Sequence, residues 1–199
     1  MDKKQRQNSP YLHSSYTSSK GFSLIELLIT LTVSAIILSV GVPSLIKIIE
    51  RSEFRSELSL LHRTISMGHA KAAMNGWTVA LCPLDAANEC TNDWEQTLTL
   101  FEDRNRNQKK ETNEPILYLL EANDDDRVMR RFSRNAPITF NPQGNAFGFN
   151  GTLTYCQNGS STLGGTIIIA NTGRVRLGED KNHDGIAENS QGQNIDCSG

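Results

Sequence analysis

A single carboxylate lies inside a long apolar segment near the start of the chain. Residues 22–42 contain one charged side chain, Glu26, close to the beginning of the run. A charged group at the centre of a hydrocarbon layer costs roughly 2.5–3.5 kcal/mol on insertion scales. Such a group is tolerated when a cation pairs with it, and a buried ion pair fixes the register of packed helices. We therefore expect Glu26 to act in assembly and not in catalysis; a carboxylate that reaches water near the helix end is the alternative.

Two arginines near the other end of the chain form a second candidate site. Residues 171–173, Asn-Thr-Gly, predict a turn, because glycine adopts positive φ without strain. If the next strand begins at Arg174, alternation places Arg174 and Arg176 on one face and Val175 on the other. The two side chains are then separated by about 6.6 Å of strand rise, and both can reach phosphates. Phosphate contacts carry no sequence information; two solvent-facing arginines in a hairpin are the alternative.

The charge balance restricts how this chain can bind a polyanion. The chain of 199 residues has a formal charge of −2, and residues 1–21 contribute +3, which leaves −2 − 3 = −5 for the rest. Overall charge therefore does not favour nucleic acid, and a DNA site must be local. Two phosphate contacts alone would bind weakly. The tail after residue 178 is acidic and would not strengthen that binding. Lys109-Lys110 or Arg130-Arg131 would add contacts if they fold alongside the arginine pair.

The apolar segment and the region after it predict one long helix. Residues 22–42 span about 31 Å as a helix, enough to cross a hydrocarbon core of ~30 Å. Small residues precede this transmembrane part and no A-x-A site follows it, so we expect it to remain in the mature protein. An amphipathic part over residues 43–75 should end at Asn75-Gly76. Its apolar stripe is Leu45, Ile48, Ile49, Leu58, Leu61 and Ile65.

Short β-rich runs follow residue 76, separated by Asn, Gly, Asp and Pro. They predict two small antiparallel sheets packed against the helix in one domain, residues 76–199, with a flexible tail from about residue 178. Residues 160–162 and the mixed-charge run 124–134 are expected to be surface loops. The predicted strands are residues 77–82, 98–101, 116–121, 138–140, 153–156, 166–170 and 174–177.

The start of the apolar segment resembles the class III leader of type IV prepilins and type II secretion pseudopilins. The resemblance rests on Gly21-Phe22-Ser23-Leu24-Ile25-Glu26 and the uninterrupted apolar run that follows. It implies a leader of residues 1–21, cleavage after Gly21 by prepilin peptidase, and N-methylation of Phe22. It also implies that Pro43 softens the helix and that Glu26 pairs with the free amino group of Phe22 on a neighbouring subunit. The protein would first lie in the bacterial inner membrane and then enter a filament with other pilin or pseudopilin subunits.

All four cysteines follow the apolar segment, at Cys82, Cys90, Cys156 and Cys197. An even number on one side of a membrane predicts two disulfides in an oxidising periplasm; buried free thiols are the alternative. Of the three possible pairings we favour Cys82 with Cys90, which closes a short loop, and Cys156 with Cys197. The second pair resembles the disulfide-bounded C-terminal region of many type IV pilins. With the leader, the cysteines predict a single-pass protein whose C-terminal domain is periplasmic.

The domain after the helix is similar to the FimT/GspH group of minor pilins and pseudopilins. This resemblance implies an α+β, type IV pilin-like fold, with a long N-terminal helix packed on a small antiparallel β-rich domain. The residues that carry it are Cys82, Cys90, Trp94, Phe101, Asp103, Asn105, a late Gly-Thr-Leu, and Gly173-Arg174-Val175-Arg176.

Two functions follow from the resemblance. Members of the FimT type serve natural transformation by binding DNA, and a GRxR element near the C-terminus is associated with this. We therefore expect a type IV minor pilin that binds extracellular double-stranded DNA without sequence specificity, through Gly173, Arg174 and Arg176. The alternative is a structural minor pilin, or a GspH-type pseudopilin of type II secretion, that primes filament assembly without binding DNA and ends in a pilus or pseudopilus.

No cofactor, metal or enzymatic activity is expected. The chain has no G-x-S-x-G, P-loop, H-E-x-x-H or G-x-G-x-x-G motif. Two Asp/Asn-rich loops contain part of a calcium-loop pattern, but Gln108 replaces the usual glycine in one and Gln191 occupies position twelve of the other. Polar turns are the preferred interpretation of both. His62 and His69 share a helix face, and without an evident third ligand they are expected to face solvent.

Overall fold

The computed structural model describes residues 21–122 and 128–198 of the chain. Within these residues, one helix is followed by eight strands. The chain divides into two compact units, residues 1–46 and residues 47–199. The leader expected over residues 1–21, apart from Gly21, and residues 123–127 of the mixed-charge run lie outside the described residues.

Helix α1, Leu24–Asn75, has a cap at each end. Ser23 is the N-cap, because the backbone N–H of Glu26 donates to Ser23 Oγ at 3.2 Å. At the other end Gly76 has a φ of 70°, and its N–H donates to the carbonyl of Ala72 at 3.0 Å. A glycine in this left-handed conformation is a common helix stop. The predicted end of the helix is therefore confirmed.

The first part of α1 is long and apolar enough to cross a membrane, with a mean hydropathy of 2.3 over an 18-residue window. The hydroxyls of Thr30, Thr32 and Ser39 each donate to a carbonyl three residues earlier, at 2.9 Å. Polar groups in lipid must find partners within the protein, and these hydroxyls find theirs inside the helix. Length, composition and internal hydrogen bonding together make this segment a candidate membrane span.

The later part of α1 packs one face on the domain core. A Cβ at Gly68 would lie 3.0 Å from Leu100 Cδ1, so glycine at this position lets the helix approach a strand closely. The predicted stripe began at Leu45, but Leu45, Ile48 and Ile49 are exposed. The packed face therefore begins later along the helix than predicted. Its side chains are Phe54, Leu58, Leu61, Ile65 and Ala72.

The eight strands form two antiparallel four-stranded sheets, as predicted. Sheet 1 has the order β3-β2-β1-β5, and sheet 2 has the order β4-β6-β7-β8. The strands of sheet 1 are β1 Val79–Pro83, β2 Leu98–Glu102, β3 Ile116–Leu120 and β5 Ile138–Phe140. The strands of sheet 2 are β4 Val128–Phe132, β6 Gly151–Gln157, β7 Ser160–Ile169 and β8 Val175–Leu177.

Two segments predicted as loops are strands of sheet 2. Strand β4 lies inside the mixed-charge run and pairs with β6. The many charged side chains of the run made it look like a loop, although its residues alternate between the two faces of the sheet. Strand β7 begins at Ser160, within the predicted loop 160–162. Asn158 and Gly159 both have positive φ, 56° and 60°, as a two-residue hairpin turn requires. The Asn-Gly pair is a strong hairpin signal that the sequence-based prediction missed.

Each sheet has an inner face on the common core and an outer face away from it. Alternate residues such as Leu81 and Leu100 of sheet 1, and Leu153 and Ile167 of sheet 2, meet α1 in one apolar cluster. The intervening residues point to the outer faces, since side chains alternate along a strand. The α+β pilin-like architecture predicted from the sequence is confirmed.

A covering segment lies on the outer face of each sheet and is held by a disulfide. On sheet 1, Cys82 pairs with Cys90, and a small apolar cluster forms around them. On sheet 2, Cys156 pairs with Cys197 of the tail, residues 178–198. Ile195 of the tail is buried beside this bond. The structure thus contains the favoured pairing, and the tail packs on the sheet, which argues against a tail that is flexible along its whole length.

Candidate functional site

The turn between β7 and β8 needs a glycine at residue 173. Gly173 has a φ of 78°, and its N–H donates to the carbonyl of Ala170 at 2.8 Å. A Cβ at Gly173 would lie 1.8 Å from the carbonyl oxygen of Gly144, closer than atoms can approach. The N–H of Ala146 also donates to the carbonyl of Asn171 at 2.9 Å. The turn is therefore fixed on the neighbouring loop, and this fixes the start of Arg174.

The two arginines of the GRVR element emerge from this fixed turn. The sequence analysis assumed that the strand begins at Arg174, but β8 begins at Val175. Arg174 is exposed and Arg176 is partly buried, while Val175 packs against the core. In the ladder, Arg176 lies opposite Ile168 of β7. Val175 thus anchors the strand as expected, and Arg176 belongs to the outer face of sheet 2.

Neither guanidinium group of this pair has a partner among residues 21–122 and 128–198. The ion pairs between described residues are Arg104 with Glu102 and Lys109 with Glu89, both elsewhere. A guanidinium presents five N–H donors in a fixed fork that matches phosphate. The hairpin therefore presents two cations whose donors are available to an anion.

Most tail acids that weakened the DNA hypothesis bond to the tail's own groups. Asp184 accepts hydrogen bonds from Asn194 and from the backbone N–H of Ile186, and the pKa of its carboxyl is lowered for these reasons. Asp196 is held by Ser198, which lowers the pKa of that carboxyl as well. Glu188 is buried. Among the described residues, none of these acids forms an ion pair with Arg174 or Arg176.

The other basic residues considered in the sequence are not all available. Arg130 is buried and donates from Nη2 to the carbonyls of Glu95 and Gln96 at 2.8 and 3.0 Å. Burial lowers the pKa of its guanidinium. Lys109 pairs with Glu89 at 3.0 Å. Arg130 therefore links strand β4 to the loop that contains Glu95 and Gln96. Because it is buried, it cannot contact DNA.

The two Asp/Asn-rich loops share one hydrogen-bond pattern. In the first, the carboxylate of Asp103 accepts from the backbone N–H groups of Asn107 and Gln108. In the second, the carboxylate of Asp180 accepts in the same way from Asp184 and Gly185. Both loops are polar turns held by their first aspartate. No group of three or more His, Cys, Asp or Glu among the described residues is arranged to hold a metal.

Asp103 and His69 are both less exposed to solvent than the sequence suggested. Burial raises the pKa of the Asp103 carboxyl, and the backbone hydrogen bonds from Gln108 and Asn107 oppose that rise. His69 was expected to face solvent, but its ring packs edge-on to Phe140 with 5.7 Å between centroids. His69 also borders the turn glycine Gly173. Its role is to support the hairpin from the helix side.

The residues that follow the expected cleavage site lead directly into α1. Gly21 and Phe22 precede α1 and are exposed, and Glu26 lies in its first turn. A carboxylate at this end of a helix interacts favourably with the helix dipole. Pro43 lies inside the helix and lacks the N–H that would bond to the carbonyl of Ser39. The helix is therefore weaker at Pro43 than elsewhere.

These features define a pilin-like protein: an apolar N-terminal helix that continues into a small, disulfide-bonded β domain. A family model described as type II transport protein GspH matches residues 58–173. A second, the prokaryotic N-terminal methylation motif, matches residues 16–42. The chain belongs to the GspH family and is a minor pilin or pseudopilin of a type IV or type II system.

One solved structure supports the same fold. The type IV minor pilin FimU of Pseudomonas aeruginosa, in space group P21, matches with a TM-score of 0.52 and 18% sequence identity, over 72% of this chain and 96% of that one. A second crystal form, P65, gives a TM-score of 0.47 at 18% identity, over 69% and 98% of the two chains. No curated protein matches the chain. Membership in the family implies processing by prepilin peptidase and assembly with other pilin subunits.

Proposed function

We propose that this protein is a minor pilin that binds double-stranded DNA through Gly173, Arg174 and Arg176, for uptake in natural transformation. One observation carries the proposal: a rigid hairpin holds two guanidinium groups that have no partner among the described residues. Both groups suit phosphates, and neither is positioned by a base-reading element. Binding to arbitrary duplexes follows from that chemistry.

Electrostatics sets the strength of this interaction. Two phosphate contacts give a slope of about −1.8 for the logarithm of the binding constant against the logarithm of salt concentration. Binding by one copy is therefore weak and strongly dependent on salt. An interaction of this kind is detected at low ionic strength, where screening is least.

A gel-shift experiment on the full chain in a neutral detergent tests the proposal. Unrelated duplexes should be retarded at low salt, and the double variant Arg174→Gln/Arg176→Gln should lose this retardation. The matched control is Lys109→Gln/Lys110→Gln, which removes the same formal charge from the loop that follows β2 and should bind like the wild type. Equal retardation by the wild type and the arginine variant would exclude the hairpin as the site.

The alternative function is structural. A GspH-type pseudopilin of type II secretion, or a minor pilin that primes assembly, would bind other subunits and no DNA. The exposed apolar side chains of the first part of α1 support subunit contacts in either case. No retardation of any duplex at low salt would favour this alternative over DNA binding.

Assembly depends on the leader segment in both functions. After cleavage behind Gly21 and N-methylation of Phe22, we propose that Glu26 pairs with the amino group of Phe22 on a neighbouring subunit. Before assembly the helix spans the inner membrane once, with the C-terminal domain in the periplasm; afterwards the protein lies in the pilus. Glu26→Ala should insert into the membrane normally but incorporate poorly into filaments, as measured on sheared pili. Normal incorporation would contradict the pairing.

A further inference from the structure

The register of sheet 2 places two arginines on the same outer face. Arg176 lies opposite Ile168, which lies opposite Thr152 on β6. Arg131 lies opposite Thr154, two residues along the same strand. Directly paired residues and residues two apart share a face. Arg131 and Arg176 therefore lie on the outer face of one sheet, on its two opposite edge strands.

A polar groove borders the Arg131 edge of this face. Its volume is about 550 Å³, and it lies between strands β4 and β6 on one side and the tail on the other. Hydrogen-bonding side chains dominate its walls and few apolar ones contribute. The polar side chains that line it include Arg131, Arg134, Asn150, Thr154, Gln191 and Asn194.

The arginines of the groove have donors to spare. Arg134 is held in place by Asn150, with Nη2 donating to Oδ1 at 3.2 Å and Nε donating to the backbone carbonyl. Arg131 contacts only the weak acceptor Sδ of Met129, at 3.4 Å, among the described residues. Among the described residues the one acid in the lining is Asp196, which is hydrogen-bonded to Ser198 and also interacts electrostatically with Arg131. The groove therefore has two cations against one carboxylate, an excess of one positive charge.

The tail wall of the groove carries one acid, Asp196, and is otherwise uncharged among the described residues. Residues 189–194, Asn-Ser-Gln-Gly-Gln-Asn, contain no ionisable side chain. Asn189 Oδ1 accepts from the backbone N–H groups of Gln191 and Gln193 at 2.8 and 3.1 Å. Thr152 Oγ1 donates to Ser190 Oγ at 3.2 Å, which fastens this wall to the sheet. Most acids of the tail thus lie outside the part that forms the groove, and Asp196 is the exception among the described residues.

We propose that this groove is a second phosphate-binding site, in which Arg131 and Arg134 hold the same phosphodiester chain that Arg174 and Arg176 contact. The proposal rests on the proposed function for the identity of the ligand. Strands β4 and β8 are three strand spacings apart, about 14 Å. At 3.4 Å of helix axis per nucleotide this separation corresponds to about four base-pair steps measured along the axis of the duplex. The uncharged residues 189–194 border the groove and are fastened to β6 at Thr152, so they add no negative charge beside a bound DNA backbone.

The number of phosphate contacts gives a quantitative test. Four contacts predict a salt slope of about −3.6, against about −1.8 for two. We would measure the binding of a fluorescent 20-base-pair duplex by the full chain in neutral detergent over a range of salt concentrations. The wild type should show the steeper slope, and Arg131→Gln/Arg134→Gln should reduce it to about half. A slope that this variant leaves unchanged would overturn the groove as a site.

A second variant guards against a change in folding. Gln191 is exposed, and its side chain makes no hydrogen bond among the described residues, so Gln191→Glu adds a negative charge to the groove and removes no contact. It should weaken binding more at low salt than at high salt. Binding equal to that of the wild type would count against the groove. Inorganic phosphate at millimolar concentration should compete only slightly if the ligand is a phosphate chain, whereas full competition would indicate a site for free phosphate instead.

The outcomes separate the two proposals. Loss in Arg131→Gln/Arg134→Gln alone would support the groove and remove the hairpin as a site. Loss in Arg174→Gln/Arg176→Gln alone would do the reverse. Weaker binding by both double variants, each with about half the salt slope of the wild type, supports the combined surface. The absence of any binding by the wild type overturns both proposed sites.

Discussion

The outer faces of the two sheets are built in the same way but carry different chemistry. Each is covered by a segment that a disulfide fastens, Cys82–Cys90 on sheet 1 and Cys156–Cys197 on sheet 2. The outer face of sheet 1 bears Ala80, Phe101 and other uncharged side chains. The outer face of sheet 2 bears Arg131 and Arg176 at its two edges.

This difference separates packing from recognition. On sheet 1 the covering segment completes a small apolar core, as the burial of Ala80 and Phe101 demonstrates. On sheet 2 the tail covers only the middle of the face, where Ile168 and Thr166 are buried. The arginines remain on both sides of the tail. Sheet 1 therefore serves stability, and sheet 2 combines stability with the surface that we propose for an anion.

The two disulfides offer the largest expected effect. Loop-closure entropy predicts a loss of about 4 kcal/mol for Cys156→Ser/Cys197→Ser and about 2.5 kcal/mol for Cys82→Ser/Cys90→Ser, since the sequence separations are 41 and 8. Urea unfolding of the two variants measures the difference. Equal losses would mean that local packing, and not the length of the closed loop, determines what each cover contributes.

Gly173→Ala should give the next largest loss, because it disturbs the turn that carries the arginines. A positive φ and a collision with Gly144 together should cost roughly 1–3 kcal/mol. Gly148→Ala is the matched control: Gly148 has a φ of 80° but open space around it, so it should cost about 1 kcal/mol. Thermal unfolding measures both changes. If the two variants were equally stable, close contact with Gly144 would not be what fixes the hairpin.

A pair of threonine variants compares the two faces at single hydroxyl groups. Thr166 on sheet 2 donates to the carbonyl of Glu188 at 2.8 Å, so Thr166→Val should cost about 1 kcal/mol. Thr139 on sheet 1 is buried, and its hydroxyl has no partner among the described residues, so Thr139→Val should be neutral or stabilising. Chemical denaturation of the two proteins distinguishes them. A larger loss of unfolding free energy in Thr139→Val than in Thr166→Val would mean that the hydroxyl of Thr139 forms a stabilising hydrogen bond and that of Thr166 does not.

The smallest expected effect concerns pH and Asp103, directly after β2 of sheet 1. Burial raises the pKa of its carboxyl above the ordinary value for an aspartate, so the folded state binds this proton more tightly than the unfolded state does. The contribution of Asp103 to stability therefore increases as pH falls through the window between the unfolded and folded pKa values. Urea unfolding of wild type and Asp103→Asn near neutral pH and in mild acid tests this. The stability of the wild type relative to the variant should improve in acid, and a decline would contradict the raised pKa.

Local sequence patterns predicted several elements well. The stop of α1 at Gly76, the strand Ile138–Phe140 and the turn at Gly173 were all visible, because each depends on residues within a few positions of one another. Strand β4 was missed, because its alternation of Met129 and Arg131 with buried residues has no meaning until β6 is beside it.

The availability of individual arginines was also beyond the sequence. Arg130 and Arg131 are neighbours of identical type, yet the first is buried and the second lies in the groove. A shift of one residue in the pairing of β4 with β6 would exchange their positions. Only the ladder that sets Arg130 opposite Tyr155 and Arg131 opposite Thr154 decides between them.

The sequence alone determined the apolar helix with Glu26, the four cysteines and the GRVR turn, and through them the class of protein. These features depend on composition and short spacings, which the chain carries before it folds. The tertiary structure decided which arginines are buried and which lie at the surface, and that the uncharged part of the tail borders the groove. Strand register and the path of the tail depend on contacts between residues far apart in the chain, such as Cys156 with Cys197.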